Sequence, residues 1–481
     1  MSGWHYDAHL AGVDVSTRER LTVTSPWDGS AVGDVGLASA AELERAAELA
    51  VGARSALAAL SRDERAQLCD RAADRVEHER AQLADMVVAE TGKPIRYAEL
   101  EVLRAADTLR ASARAARALA GDEVPLDAAG PGRGRLAFTR WFPVGAVAAI
   151  APWNFPLNLV AHKLGPAIAA GCPVVCKPAS KTPLSALALA AILREVGLPP
   201  GGLSVLPCSR ALGQRLVEDP RFAALTFTGS SEVGWQLRRD AGKKRVLLEL
   251  GGNAAAIVLA DMASGPAGAD LEFAADRCAH GAFYQAGQSC ISVQRVLAHA
   301  DVYERFRDAL VARAEATPTG DPRERATVCG PVIDDASAER LERWIREAIA
   351  RGARLLTGGR REGRLLSPTI LEGVPRDCDL QREEAFGPVV CLDRAASAEA
   401  AIEAAADTRF GLQCGLFTHD WRAIRAAWER IEVGGLVVGD APAFRVDLMP
   451  YGGVRDSGLG REGPAYAVRE LSEARLLVLP G

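Results

Sequence analysis

No basic tract runs anywhere along the 481 residues, and the formal net charge is only −5. Binding to nucleic acid or to an anionic membrane surface needs a concentrated positive field, so neither role is expected. Met1 to Leu10 holds His, Tyr and Asp and lacks the apolar core of a secretory signal. The most apolar stretch, Val144 to Val160, is interrupted by Pro152 and Pro156, so it does not read as a transmembrane span. Cys172 and Cys176 have no matching second pair, and no metal site is expected. The ten cysteines are scattered without a framework, which predicts reduced thiols in a cytoplasm. Low-complexity segments and internal repeats are absent as well.

What the chain does have is apolar content: 48% hydrophobic residues, ample for large cores. At about 150 residues per domain, the length predicts two or three domains. The first third reads as mostly helical. Ala38 to Leu60 and Ser61 to Glu90 carry apolar residues at 3–4 spacing, and a third helix runs from about Ile95 to Ala120. Ser39 and Ser61 are candidate N-caps, with Glu64 completing a capping box. Gly130 to Gly134 reads as a tight connection between strands. From Val144 short apolar runs alternate with helices: Val144–Ile150, Val174–Lys177, Leu203–Leu206, Leu225–Thr228 and Val246–Leu250. That alternation predicts a buried parallel sheet. A second α/β run extends from Ala254 to about Gly439, with helices at Leu271–Ala286, Val302–Ala316 and Ala336–Arg351. Val468 to Leu479 alternates as a strand that could pair with another subunit.

Five segments carry chemistry. Phe227 to Gly234 follows a strand and opens a helix, and its Gly229 and Gly234 show a G-x-x-x-x-G spacing. Glycines admit a phosphate to the backbone, and the helix start attracts its charge. An ordinary strand–helix turn would show the same spacing. Lys177, in Lys-Pro-Ala-Ser, closes a strand where an ammonium can bridge ribose and phosphate, or simply be solvated. Cys290 ends Gly-Gln-Ser-Cys just past a helix, where Gly287 can relax the backbone and present the thiol. A thiol at a pKa of about 8.5 needs a base or a positive setting to attack. Glu249 follows an apolar strand and precedes Gly251-Gly252; it reads as a general base or as a salt-bridged strand end. Asn154 lies between Pro152 and Pro156 in a stiff loop, either an Asx-turn residue or an amide held for an oxyanion.

Cys290, Glu249 in Leu-Glu-Leu-Gly-Gly-Asn, Asn154 in Pro-Trp-Asn-Phe-Pro and the phosphate loop together resemble the aldehyde dehydrogenase superfamily, over most of the chain. The resemblance implies an α/β fold: a Rossmann-type cofactor domain (1–120 and 143–248), an α/β catalytic domain (249–439), and oligomerisation and C-terminal segments (121–142 and 440–481). It implies NAD or NADP as cofactor, a small-molecule aldehyde as substrate and a homodimer or homotetramer. It makes Cys290 the nucleophile, Glu249 the base for the deacylating water and Asn154 an oxyanion donor. Ser230 becomes a phosphate ligand, and Trp153 packs beside the pyrophosphate. Glu384 and Phe386, in Glu-Ala-Phe-Gly-Pro, fall where relatives hold the nicotinamide ribose and ring. Ser180 stands where relatives preferring NAD carry Glu; Ser does not repel a 2′-phosphate, so NADP is permitted.

Met449 to Gly458 and Cys290 to Arg295 look most like the branch of lactaldehyde, non-phosphorylating glyceraldehyde-3-phosphate and phosphonoacetaldehyde dehydrogenases. Lys177 to Leu189 is also similar to succinate-semialdehyde dehydrogenases. Arg104 and Arg445 fall at or near positions where relatives bind an anionic tail, and Phe155 is a further substrate candidate. Ser289 departs from relatives that have Arg directly before the nucleophile. A short aldehyde with an anionic or hydroxyl tail is therefore expected. The alternatives are a CoA-acylating dehydrogenase, against which Glu249 speaks, and a non-catalytic binding or structural protein on the same fold.

Overall fold

The computed structural model describes residues 3–264 and 268–480. A sheet of eight strands forms one half. Its five central strands, all parallel, are Arg245–Glu249, Ala224–Thr228, Val147–Ile150, Val174–Lys177 and Leu203–Val205, in that spatial order. Every one of them is largely buried, because helices cover both faces, which is why the sequence shows continuous apolar runs. The chain builds outward from Val147–Ile150 in one direction, then returns to lay Ala224–Thr228 on its other side. At such a reversal the two following loops diverge and open a crevice at the carboxyl ends of the strands. Those loops carry Trp153, Asn154, Gly229 and Ser230.

The second sheet has seven strands, ordered Arg354–Thr357, Thr369–Glu372, Val389–Ala395, Arg295–His299, Ala255–Val258, Gln413–Phe417 and Gly435–Val438. All but the first are parallel. Only five residues, 250–254, separate the carboxyl end of Arg245–Glu249 from the start of Ala255–Val258. The amino ends of the second sheet are thereby brought up to the carboxyl ends of the first. Cys290 precedes Arg295–His299, and Glu384 precedes Val389–Ala395.

Two buried glutamates tie helices to this frame. The helix Ile95–Ala118 supplies Glu101, whose carboxylate accepts the N–H groups of Leu157 and Asn158 (3.0 and 3.2 Å) and so caps the helix Asn158–Ala170. The helix Arg80–Thr91 supplies Glu90, which accepts the N–H groups of Leu184 and Ser185 (2.8 and 3.1 Å) at the start of Leu184–Glu195. A negative charge at a helix start satisfies its free donors and opposes its dipole. Glu101 is also ion-paired with the buried Lys93.

Capping boxes form at Ser39–Glu42 and Ser61–Glu64. Several expectations need correction. The segment Ser61 to Glu90 is two helices, Arg62–His78 and Arg80–Thr91, broken at Glu79. The N-terminal stretch is not helical: Trp4–Tyr6, Ala8–Leu10, Val13–Val15, Glu19–Thr24 and Ala31–Leu37 are strands, the first three only three residues long and too short for alternation to stand out. Gly130 to Gly134 does not join two strands directly; 3₁₀ turns at Leu126–Ala128 and Gly130–Gly132 lead into the strand Leu136–Pro143. The helix starting near Leu271 ends at Phe283 rather than Ala286. At the C-terminus Pro464–Glu470 is helical, and the strand is Ser472–Leu479, paired antiparallel with Leu136–Pro143 over all eight residues.

Candidate active site

Cys290 is half-buried, whereas the other nine cysteines are buried, and all ten are free thiols. Backbone strain presents it. After the helix ends at Phe283, Gln285, Ala286 and Gly287 take φ values of 52°, 54° and 66°. Three left-handed residues in a row, two of them not glycine, cost of order 1–3 kcal/mol each outside glycine. The turn is held by its neighbours. Gln285 donates from Nε2 to the carbonyl of Asn154 (2.7 Å), and the Ile333 N–H donates to Oε1 of Gln288 (2.8 Å). A Cβ on Gly287 would strike the carbonyl of Gly387, so the position admits only glycine. Phe386, on that facing loop, also has a left-handed φ of 48°.

Asn154 is 5% exposed and donates one N–H of its amide to the carbonyl of Gln288 (3.1 Å). An amide nitrogen carries two donors, so one remains. Glu249 is also 5% exposed, at the carboxyl end of its strand, and its Oε2 has no hydrogen-bond partner. Burial, with Glu462 nearby, raises its carboxyl well above the ordinary value of 4.5, while Arg445, Lys163 and Arg461 oppose that rise. Gly452 has room for no side chain, because a Cβ there would lie 2.8 Å from Glu249 Oε1. Burial likewise pushes the Cys290 thiol up to about 11, against the pull of Tyr451 and Arg445. Burial thus shifts both groups toward their protonated forms, in a setting where small changes of field move protons.

The crevice at the sheet reversal holds the cofactor candidates. Ser230 is the N-cap of Ser231–Asp240, yet its hydroxyl makes no capping bond. Lys177 is half-buried, and its ammonium reaches only the Pro178 carbonyl at 3.4 Å. Ser180 is exposed at the following turn. Gly234 packs against Leu250, where a Cβ would clash. Trp153 and Phe386 meet edge to face, centroids 5.4 Å apart. Glu384 accepts the Gly252 N–H (3.0 Å), and burial raises its carboxyl to about 7. An uncapped helix start, a lysine with spare donors and a glycine-lined floor fit a dinucleotide phosphate.

A cavity of about 160 Å³ opens onto Cys290, between Arg104, Phe155, Tyr284, Arg445 and Tyr451. Arg104 grips Asp447 with two bonds, Nε to Oδ2 (2.9 Å) and a terminal nitrogen to Oδ1 (2.8 Å). Asp447 also bonds His162 (2.8 Å) and Asn158 (3.1 Å). Arg445 is almost wholly buried beneath the Tyr451 ring, its guanidinium 3.6 Å from the centroid, and bonds Glu462 (3.1 Å). The two arginines therefore lie at one cavity, each already facing a carboxylate. Phe155 sits under the Lys93 ammonium (3.7 Å).

Residue patterns did not single out Tyr451, Lys163, His162, Asp447 or Glu462. Tyr451 bonds the Cys290 sulfur (2.8 Å), and Lys163 bonds Thr228 (2.7 Å) and lies 3.7 Å from Glu462. A signal existed for two of them: His162-Lys163 interrupts an otherwise apolar helix whose every residue is buried. Among the described residues no group of three His, Cys, Asp or Glu is placed to hold a metal, and no helix is long and apolar enough to cross a membrane.

The aldehyde dehydrogenase family model matches residues 13–477, and the chain belongs to that family. It is an NAD(P)-dependent oxidoreductase acting on aldehydes. The 3-sulfolactaldehyde dehydrogenase of Priestia megaterium is 42% identical over 476 residues, 98% of this chain and 98% of that one. Among solved structures, aldehyde dehydrogenase 21 of Physcomitrella patens in complex with the reaction product succinate superposes with a TM-score of 0.97 at 40% identity, covering 100% of this chain and 99% of that one. Glyceraldehyde-3-phosphate dehydrogenase GapN of Methanocaldococcus jannaschii complexed with NADP gives 0.91 at 35% identity, covering 96% and 100%.

Proposed function

We propose that the protein oxidises a short aldehyde with an anionic or hydroxylated tail to its carboxylic acid, through a covalent adduct on Cys290. The carrying observation is the meeting of a half-buried thiol, an orphaned buried carboxylate and a fixed amide where the two sheets abut. The Cys290 thiolate attacks the aldehyde carbon, and the free N–H of the Asn154 amide receives the oxyanion of the thiohemiacetal. NAD(P)+ held along the crevice would supply the hydride acceptor for this oxidation, leaving a thioester on Cys290. Glu249 then takes a proton from water as it attacks the resulting thioester, so the acid leaves and the thiolate returns. Trp153, Lys177, Ser180, Gly229, Ser230, Gly234, Glu384 and Phe386 hold the cofactor along the crevice.

Size and charge support the substrate class. The cavity, about 160 Å³, is below the roughly 300–1,000 Å³ of pockets for drug-sized ligands, which suits a short chain. Arg104 and Arg445 offer positive charge at its wall, with Phe155 as an apolar side. The relative named for 3-sulfolactaldehyde and the relative bound to succinate both handle anionic tails. Residues 1–120 and 143–248 then act as the cofactor domain, 249–439 as the catalytic domain, and 121–142 with 440–481 as the oligomerisation and C-terminal segments. The ribbon of Leu136–Pro143 and Ser472–Leu479 leaves Leu136, Leu476 and Leu477 more than half exposed. Such a ribbon suits burial in a homodimer or homotetramer. Ten free thiols suit a cytoplasmic setting.

The test is reduction of NAD+ and of NADP+ by purified protein with lactaldehyde, 3-sulfolactaldehyde, succinic semialdehyde, phosphonoacetaldehyde and glyceraldehyde-3-phosphate. Turnover of one or more without CoA is expected. Turnover only when CoA is added would replace the hydrolytic reading with acyl transfer to CoA.

A further inference from the structure

We propose that Tyr451 is a further catalytic residue: its hydroxyl donates a hydrogen bond to the Cys290 thiolate, and the Arg445 guanidinium beneath its ring strengthens that donation. The proposal rests on Cys290 being the nucleophile. The geometry is direct. Tyr451 Oη lies 2.8 Å from Cys290 Sγ, short for a bond to sulfur. The ring lies 3.6 Å from the Arg445 guanidinium, and both side chains are buried. A cation against the ring face draws electron density from the phenol and makes its O–H a better donor.

Tyr451 is anchored for this task. Its backbone N–H donates to the Glu462 carbonyl (3.1 Å) and its carbonyl accepts the Glu462 N–H (2.6 Å). Arg445 bonds the Glu462 carboxylate in turn (3.1 Å). The segment is flanked by Gly452, which the Glu249 carboxylate approaches too closely for any side chain. Around the sulfur the charged and titratable groups are Tyr451 and Arg445 on the positive or donating side, and Glu384, Glu249 and Tyr284 on the other. Beyond them stand Lys163, Arg461 and Glu462 about Glu249, with Arg104, Asp447 and His162 on the far side of Arg445. Tyr451 is thus the one neutral donor in contact with the sulfur among the described residues. When the thiol ionises, its proton goes to water and Tyr451 keeps its own. Burial and the adjacent Cys290 raise the phenol well above its ordinary value of 10.0, which keeps it protonated as a donor.

The test is the pH dependence of Cys290 alkylation by iodoacetamide in wild type and Tyr451→Phe. Phenylalanine keeps the ring over Arg445, so the packing survives. Loss of one hydrogen bond to a charged group predicts alkylation slower by about tenfold at neutral pH, with rates converging at high pH. The kcat/KM profile should shift the same way, while cofactor affinity, read by fluorescence quenching, stays unchanged and reports an intact fold. Superimposable alkylation profiles would overturn the proposal. Alkylation does not depend on turnover, so an inactive Cys290 reading and a failed Tyr451 reading are told apart: full turnover in Cys290→Ala removes the first, unshifted alkylation only the second.

Discussion

Buried carboxylates do opposite things in two neighbouring regions of this molecule. Among the packed N-terminal helices, Glu101 faces Lys93 and accepts two backbone N–H groups, and Glu90 accepts two more. In the cleft, Glu249 is equally buried yet leaves an oxygen without a partner. A buried carboxyl that accepts backbone N–H groups fixes a helix start, even where burial raises it, as it raises Glu90 to about 8; one with an oxygen left over has a site open for a proton. Charge and burial alone do not distinguish them, because only the partners differ.

The contrast can be broken at several points. Cys290→Ala should abolish aldehyde oxidation while leaving cofactor binding intact, as read by turnover and by fluorescence quenching; unaltered turnover would end the covalent scheme. Glu249→Gln should slow thioester hydrolysis by roughly 10²–10⁴-fold and let acyl-enzyme accumulate, visible by intact-protein mass spectrometry after a single burst. Lys93→Met should act on the other region, destabilising the fold by about 3–5 kcal/mol because Glu101 is left uncompensated, measured as a lower urea midpoint.

Smaller effects sharpen the comparison. Because burial raises Glu249 in the folded state, its contribution to stability is full below the ordinary 4.5 and is lost as pH rises through its folded value. Glu249→Gln lacks this term, so its stability relative to wild type should grow as pH climbs from 4.5, and urea midpoints across pH would show it. A gap that stays constant would mean the carboxylate is compensated after all. Arg104→Gln should raise KM for a sulfonated or phosphorylated aldehyde by about tenfold and leave lactaldehyde nearly unchanged. An equal effect on both would assign Arg104 to holding Asp447 rather than substrate.

The parallel sheets were readable from sequence because strands covered on both faces must be apolar throughout, as in Ala224–Thr228 and Ala255–Val258. The N-terminal strands were not, since three-residue pieces such as Trp4–Tyr6 show too little alternation to count. The break at Glu79 was hidden because apolar spacing continues across it. At the site, Cys290, Glu249 and Asn154 announced themselves by standing beside glycine and proline. Tyr451, Asp447 and Glu462 did not, because each lies about 160 or more residues from Cys290 in the chain and gains meaning only from what it touches.

Sequence by itself determined the class: the apolar rhythm of the strands gave a parallel α/β fold, and the Gly-Gln-Ser-Cys, Glu-Leu-Gly-Gly and phosphate-loop segments carried the resemblance to aldehyde dehydrogenases that implies NAD(P). Tertiary structure decided the electrostatics. Whether a carboxylate is orphaned or paired, whether Arg104 meets solvent or Asp447, and which hydroxyl touches the thiol are set by residues that only folding brings together. Burial then turns those contacts into proton affinities, since removing water leaves each charge to the few groups around it.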